Sequence, residues 1–187
     1  LVAGGSLLAR REAPHEHEED FAALAEALQS PNDDVVIEAI HHLEERHDPH
    51  SADLLLGRLA APTSERVIEH VSDGLARLGD RRAVPVLERL LTRDLDPFLR
   101  LDLAGALLSL RSASGFSAIL AALESGDATV LVDRQAAALL TRFRGDDLGL
   151  SSSTTPPIRA QVVARLRAWI EQRGNELRWR EERRRFE

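Results

Sequence analysis

Seven histidines, at positions 15, 17, 41, 42, 47, 50 and 70, all fall in the first 70 of 187 residues, among many carboxylates. Imidazole and carboxylate side chains are common ligands of transition metals. His15-Glu16-His17-Glu18-Glu19-Asp20 crowds such groups together, and Glu38 and His42 stand one helical turn apart, a workable spacing for two ligands. The same residues also suit a solvated leader and helix surface, and on that reading no metal ligand is assigned. Ser151-Ser152-Ser153-Thr154-Thr155-Pro156-Pro157 is rich in hydroxyls, but no histidine lies beyond residue 70 to activate one. It reads as a flexible loop ending in a proline-fixed helix start. Gly4-Gly5 lacks the following spacing of a phosphate cradle. Cysteine is absent, which removes disulfides, thiolate nucleophiles and sulfur-ligated zinc. Catalytic and cofactor-binding residues are therefore assigned as none, and no cofactor is expected.

The elements that would position any site are made almost wholly of aliphatic and charged residues. Hydrophobic residues make up 43% and charged residues 29%, enough for one domain with a core, while aromatics supply only 4%. All 24 basic residues are arginine, a bias that points to a GC-rich bacterial genome. The net charge of -7 divides unevenly, with an acidic excess over residues 1–80 and a small basic excess beyond. Such a gradient suits steering of a charged protein partner. Neither half has the basic excess that a phosphate backbone requires, so nucleic acid is not an expected partner. No apolar run is long enough to span a membrane. Residues 1–11, Leu-Val-Ala-Gly-Gly-Ser-Leu-Leu-Ala-Arg-Arg, read as a flexible leader or as the trailing end of a signal or anchor. The cytoplasm is the expected compartment, or the cell envelope if that segment ends an anchor. With no methionine present, the chain is expected to be a fragment or a processed form.

Self-similarity is the dominant signal. Phe21, Leu24 and Leu28 recur as Ala52, Leu55 and Leu59, as Val84, Leu87 and Leu91, and as Phe116, Ile119 and Leu123. A spacing of three then four puts each triplet on one stripe of a helix. The pattern returns at Val163, Leu166 and Ile170. A second set interleaves: Val36, Ile40 and Leu43; Val71, Leu75 and Leu78; Leu103, Leu107 and Leu110; Ala136, Leu140 and Phe143. Two amphipathic helices thus alternate in each unit. Asp48-Pro49 and Asp96-Pro97 read as N-caps followed by proline at the first helical position. Gly79 suits a left-handed C-cap, after which Asp80 can cap the next element. Gly126 and Gly145 close further periodic segments.

The unit from Ser64 to Leu87, with its Leu78-Gly79-Asp80 turn followed by Ala83-Val84-Pro85-Val86-Leu87, resembles a HEAT-like repeat, and more narrowly the short variety associated with phycobilisome lyases. The resemblance covers about residues 21–143, and departs at Glu44-Glu45-Arg46-His47 and at 144–157. It implies an all-α, right-handed α-solenoid of about four helix pairs. The expected organisation is a leader over 1–20, an array over 21–143, a loop over 144–157, and a terminal helix with a capping tail over 158–187. A small β-hairpin or cap is expected in that tail, packing Trp179 and Phe186 over the end of the solenoid; the alternative use of Arg183, Arg184 and Arg185 is docking on an acidic partner. The helix at 21–29 lacks a first-helix mate, which points to an array that begins upstream.

The resemblance further implies that the first helix of each pair lines the convex side and the second the concave side. On that basis Asp53, Arg58, Glu88, Arg89 and Glu124 are the expected partner-binding residues. The expected function is a non-catalytic scaffold or adaptor that holds an unidentified protein partner. An enzyme or enzyme subunit of the phycobilin-lyase or metal-hydroxylase type stays open as the alternative, although the symmetric His-Glu pairs of the latter are missing here.

Overall fold

The computed structural model describes residues 14–46, 48–61, 63–125, 129–151, 153–173 and 176–187, with side chains from Asp20 onward. Each aliphatic stripe becomes the buried edge of a helix. In chain order these are α1 (Pro14–Ala27), α2 (Asp33–Arg46), α3 (Pro49–Ala60), α4 (Glu65–Leu78), a 3-10 turn (Arg81–Ala83), α5 (Val84–Leu90), α6 (Pro97–Ser109), α7 (Ser114–Glu124), α8 (Val130–Phe143) and α9 (Pro156–Arg173). Two short strands follow, β1 (Trp179–Arg180) and β2 (Arg185–Phe186). This is the expected all-α solenoid of HEAT-like pairs, α2–α3, α4–α5, α6–α7 and α8–α9, preceded by α1.

Local chemistry sets the boundaries. Asp48 accepts a hydrogen bond from His50 N at 2.8 Å and Asp96 one from Phe98 N at 2.7 Å, each just before a proline that opens a helix. Gly79 ends α4 at φ +72°, and Asp80 N donates to Leu75 O at 3.3 Å, the long return bond of a Schellman turn. Asp80 then accepts from Arg82 N at 2.9 Å and opens the 3-10 turn.

Two expected boundaries shift. Helix α1 begins at Pro14, so 14–20 is helical where a leader was expected. Helix α9 begins at Pro156 rather than 158, because a proline needs no amide partner in a first turn. The loop before it is anchored: Leu150 and Thr154 are buried, and Thr154 Oγ1 accepts from Ser151 N at 2.8 Å. Residues 1–13, His47, Gly126, Ser152 and Gly174, with the side chains of His15 and His17, lie outside the described residues.

Helices α2, α4, α6 and α8 pack side against side as one layer. Helices α1, α3, α5 and α7 lean chiefly on that layer and touch one another little, and α9 continues their side against α7. Small residues allow the close approach. A Cβ at Gly74 of α4 would meet Glu44 Oε1 of α2 at 2.8 Å, and one at Gly105 of α6 would meet Leu139 Cδ2 of α8 at 3.2 Å. In a curved stack the closely packed layer is the inner wall and the more separated layer the outer one. The concave side therefore belongs to the first helices, and the expected assignment of the second helices to it is corrected.

Two apolar clusters fill the interior. The first runs from Leu28 to Leu110, the second from Leu101 to Phe186. Helix α6 serves both, with Leu99, Leu103 and Leu107 facing one and Leu101, Ala104 and Leu108 the other. The tail forms the expected hairpin, Trp179 opposite Phe186 and Arg180 opposite Arg185. Phe186 meets Phe116 edge to face at 5.5 Å, and Phe116 meets Trp169 at 4.9 Å.

Candidate functional site

Between their buried stripes, the inner-layer helices present polar side chains to an open groove. Its upper part is a concavity of about 370 Å³ where His41, Glu69, His70, Asp73, Asp102 and Gln135 meet. Its lower part, of about 740 Å³, lies where α4, α6 and α8 end against the hairpin. Asp73, Arg77, Ser109 and Arg142 line both, so the two are continuous.

The upper part is acidic. Asp102 accepts from Gln135 Nε2 at 2.5 Å across α6 and α8. Burial, reinforced by the nearby Glu69 charge, pushes its carboxyl up to about 6 against the opposing effect of the Gln135 hydrogen bond. The rings of His41 and His70 meet edge to face at 5.3 Å. Beneath them Glu44 is only 8% exposed. Burial raises its carboxyl, although Arg77 and His41 pull the other way. Arg77 divides its guanidinium between Asp73 Oδ2 at 2.6 Å and Glu44 Oε2 at 3.4 Å.

The lower part is basic. Arg77, Arg111, Arg142, Arg183 and Arg184 surround it, against the two carboxylates Asp73 and Glu181. Trp179 and Phe143 form its apolar wall. Arg111 bonds Glu181 Oε1 at 2.6 Å, and the Arg142 guanidinium lies 4.8 Å from the centre of the Phe143 ring. Arg183 bonds Glu187 Oε1 at 2.7 Å. Arg185 also holds Glu187, at 2.9 Å, and turns away toward Gly145; of the three tail arginines only Arg183 and Arg184 line the groove.

The expected partner-binding residues stand on the outer layer instead. Asp53 on α3 pairs with Arg82 at 2.7 Å, and Arg58 is buried at 9% exposure. Glu88 and Arg89 are exposed on α5. Glu124 on α7 pairs with Arg167 of α9. Arg58 lines a separate concavity of about 520 Å³ with Asp33 and Ser64, away from the groove. Glu38 and His42 are exposed on α2, and His50 bonds its own helix cap, Asp48, at 2.8 Å. Among the described residues no group of three or more histidine or carboxylate side chains is arranged to hold a metal ion. The groove residues Glu69, Asp73, Asp102 and Gln135 were missed in the sequence. Their signal was a polar residue at helical spacing on the opposite flank of the Val71 and Leu103 stripes.

Residues 21–108 match the family described as HEAT repeats. The match covers 88 of the 187 residues and makes that segment similar to HEAT-repeat arrays. No curated protein and no solved structure matches the chain. The matched segment spans α1 from Phe21 through Leu108 of α6 and so includes the acidic part of the groove up to Asp102; α8 and the hairpin complete the wall beyond it. Among the described residues no helix is long and apolar enough to cross a membrane.

Proposed function

We propose that the chain is a non-catalytic scaffold or adaptor whose protein partner lies in the concave groove of the HEAT array. One observation carries this reading: two concavities join along α2, α4, α6 and α8 into a single trough rimmed by exposed charged side chains. HEAT arrays are commonly interaction scaffolds, and a trough of this kind accepts a helix or an extended segment by shape. Two of the groove's charged side chains are held internally, Asp102 by Gln135 and Arg77 by Asp73 and Glu44. The Leu78-Gly79-Asp80 turn and Pro85 favour the short phycobilisome-lyase variety of repeat as the finer assignment. A cytoplasmic location is part of the same reading.

The test uses a photo-reactive amino acid placed at Ser109, inside the groove, or at Glu88, on the outer layer. In extract from the source organism, adducts with one discrete protein are expected from position 109 and not from 88. The reverse pattern would move the interface to the outer helices.

A further inference from the structure

We propose that the occupant of the groove is a bipolar peptide segment, with acidic residues at the arginine end and basic residues about four positions away. This rests on the groove being the interface and adds the chemistry of what it holds.

Charge in the groove is sorted along the helix axes. On α4, Glu69 and Asp73 precede Arg77; Asp102 of α6 precedes Ser109, and Arg111 follows in the turn after that helix; on α8, Gln135 precedes Arg142. All three helices thus present a carboxylate or an amide earlier, while arginines lie late on α4 and α8 and in the turn just beyond α6, on the same wall. The eight-residue step from Glu69 to Arg77 corresponds to about 12 Å along the helix. An extended peptide covers that span in about four residues. The hairpin strengthens the basic end, since its turn adds Arg183 and Arg184 and its first strand adds Trp179. Arginine-77, -111 and -183 side chains remain 62%, 51% and 61% exposed there, so their guanidinium groups can exchange an internal carboxylate for a partner's. Arg111 and Arg77 already bond carboxylates at 2.6 Å, showing the geometry that an acidic side chain would adopt.

Uniform polyanions fit less well. A nucleic-acid strand following the arginines would run its next phosphates onto Asp73, Asp102 and Glu69. A peptide can change sign within four residues and satisfy both ends. An aromatic or aliphatic residue beside the partner's acidic end would rest on Trp179 and Phe143.

The experiment is fluorescence anisotropy at about 50 mM salt, where exposed charges are weakly screened. The probe is a synthetic labelled peptide of four glutamates, four glycines and four arginines. All-glutamate and all-arginine peptides of equal length and a single-stranded oligonucleotide are the comparisons. The bipolar peptide is expected to bind tightest. Arg142→Glu with Arg184→Glu, and separately Glu69→Arg, are each expected to weaken it on the order of tenfold. Arg142→Gln with Arg184→Gln is expected to weaken it less, and an unchanged thermal melt will confirm that each variant folds. Tightest binding of the all-arginine peptide, lost in Glu69→Arg but unaffected at Arg142 and Arg184, would overturn the bipolar ligand and leave the groove as the interface. Tightest binding of the oligonucleotide would overturn it in favour of nucleic acid. Binding that ignores every groove variant would overturn both.

Discussion

The two halves of the molecule use different means to finish one core. The cluster from Leu28 to Leu110 is aliphatic throughout its buried members, and its helices repeat the same stripe. The cluster from Leu101 to Phe186 also takes in Phe98, Phe116, Phe143, Trp169, Trp179 and Phe186, six of the seven aromatic residues in the chain. It also holds a fully buried charge: Asp133 of α8 accepts from Arg159 Nε at 2.7 Å and from Arg159 Nη2 at 2.6 Å. The hydrogen bonds of that pair raise the Arg159 guanidinium's affinity for its proton. The first half is made of interchangeable neighbours, each completing the one before. The second must end the stack, so it closes with unique contacts and a hairpin lid.

The contrast is sharpest where the halves join. Leu107 of α6 is fully buried. Leu107→Asp is expected to cost more than about 3 kcal/mol through lost burial and an unpaired charge. Circular dichroism melts check this, and an unchanged midpoint would break the assignment of α6 as the shared wall. Phe186→Ala, which opens the lid, is expected to cost about 3 kcal/mol. Hydrogen exchange should show lost protection in α7 and α9 with α2 and α4 still protected; uniform loss would mean that the halves are one cooperative unit. Gly115→Ala is smaller, about 2 kcal/mol destabilising, because the new Cβ would stand 2.6 Å from Ala104 O, a backbone atom that cannot turn aside. Denaturant unfolding with an unchanged slope measures it.

The smallest expected effect concerns the groove. Asp102 holds its proton up to about pH 6 when folded, above its ordinary value of 3.8. Between those values the native state binds more protons than the unfolded one, so stability falls as pH rises through this window and stays lower above it. Asp102→Asn keeps an acceptor for Gln135 and removes the charge. It is expected to stabilise the protein by about 1 kcal/mol at neutral pH and by less near pH 4. Melts at the two pH values test this, and a destabilised variant at neutral pH would contradict the burial of the charge.

Much of the architecture was legible because burial repeats with the helix period. Leu55, Leu75, Leu107 and Leu140 are each fully buried where their stripes predict. Asp48, Gly79 and Asp96 mark ends through chemistry confined to a few neighbouring residues. The direction of curvature was not legible. It depends on how closely α2 approaches α4 and α6 approaches α8, and thus on Gly74 and Gly105 meeting Glu44 and Leu139, far away in the chain. With the concave side misplaced, Asp53, Arg58, Glu88, Arg89 and Glu124 were named in place of Glu69, Asp73, Asp102 and Arg142, which line the groove. Asp133 gave no warning either, since its partner is 26 residues further on and a lone aspartate on a helix ordinarily faces water.

The most direct test of the groove as recognition surface is thiol footprinting, made clean by the absence of native cysteine. Single cysteines replace Ser109 in the groove and Glu88 on the outer layer, and alkylation rates are compared with and without the bipolar peptide at saturation. The expected result is a several-fold slowing at position 109 and none at 88. Slowing at 88 with 109 unchanged would place the partner on the outer helices and contradict the reading.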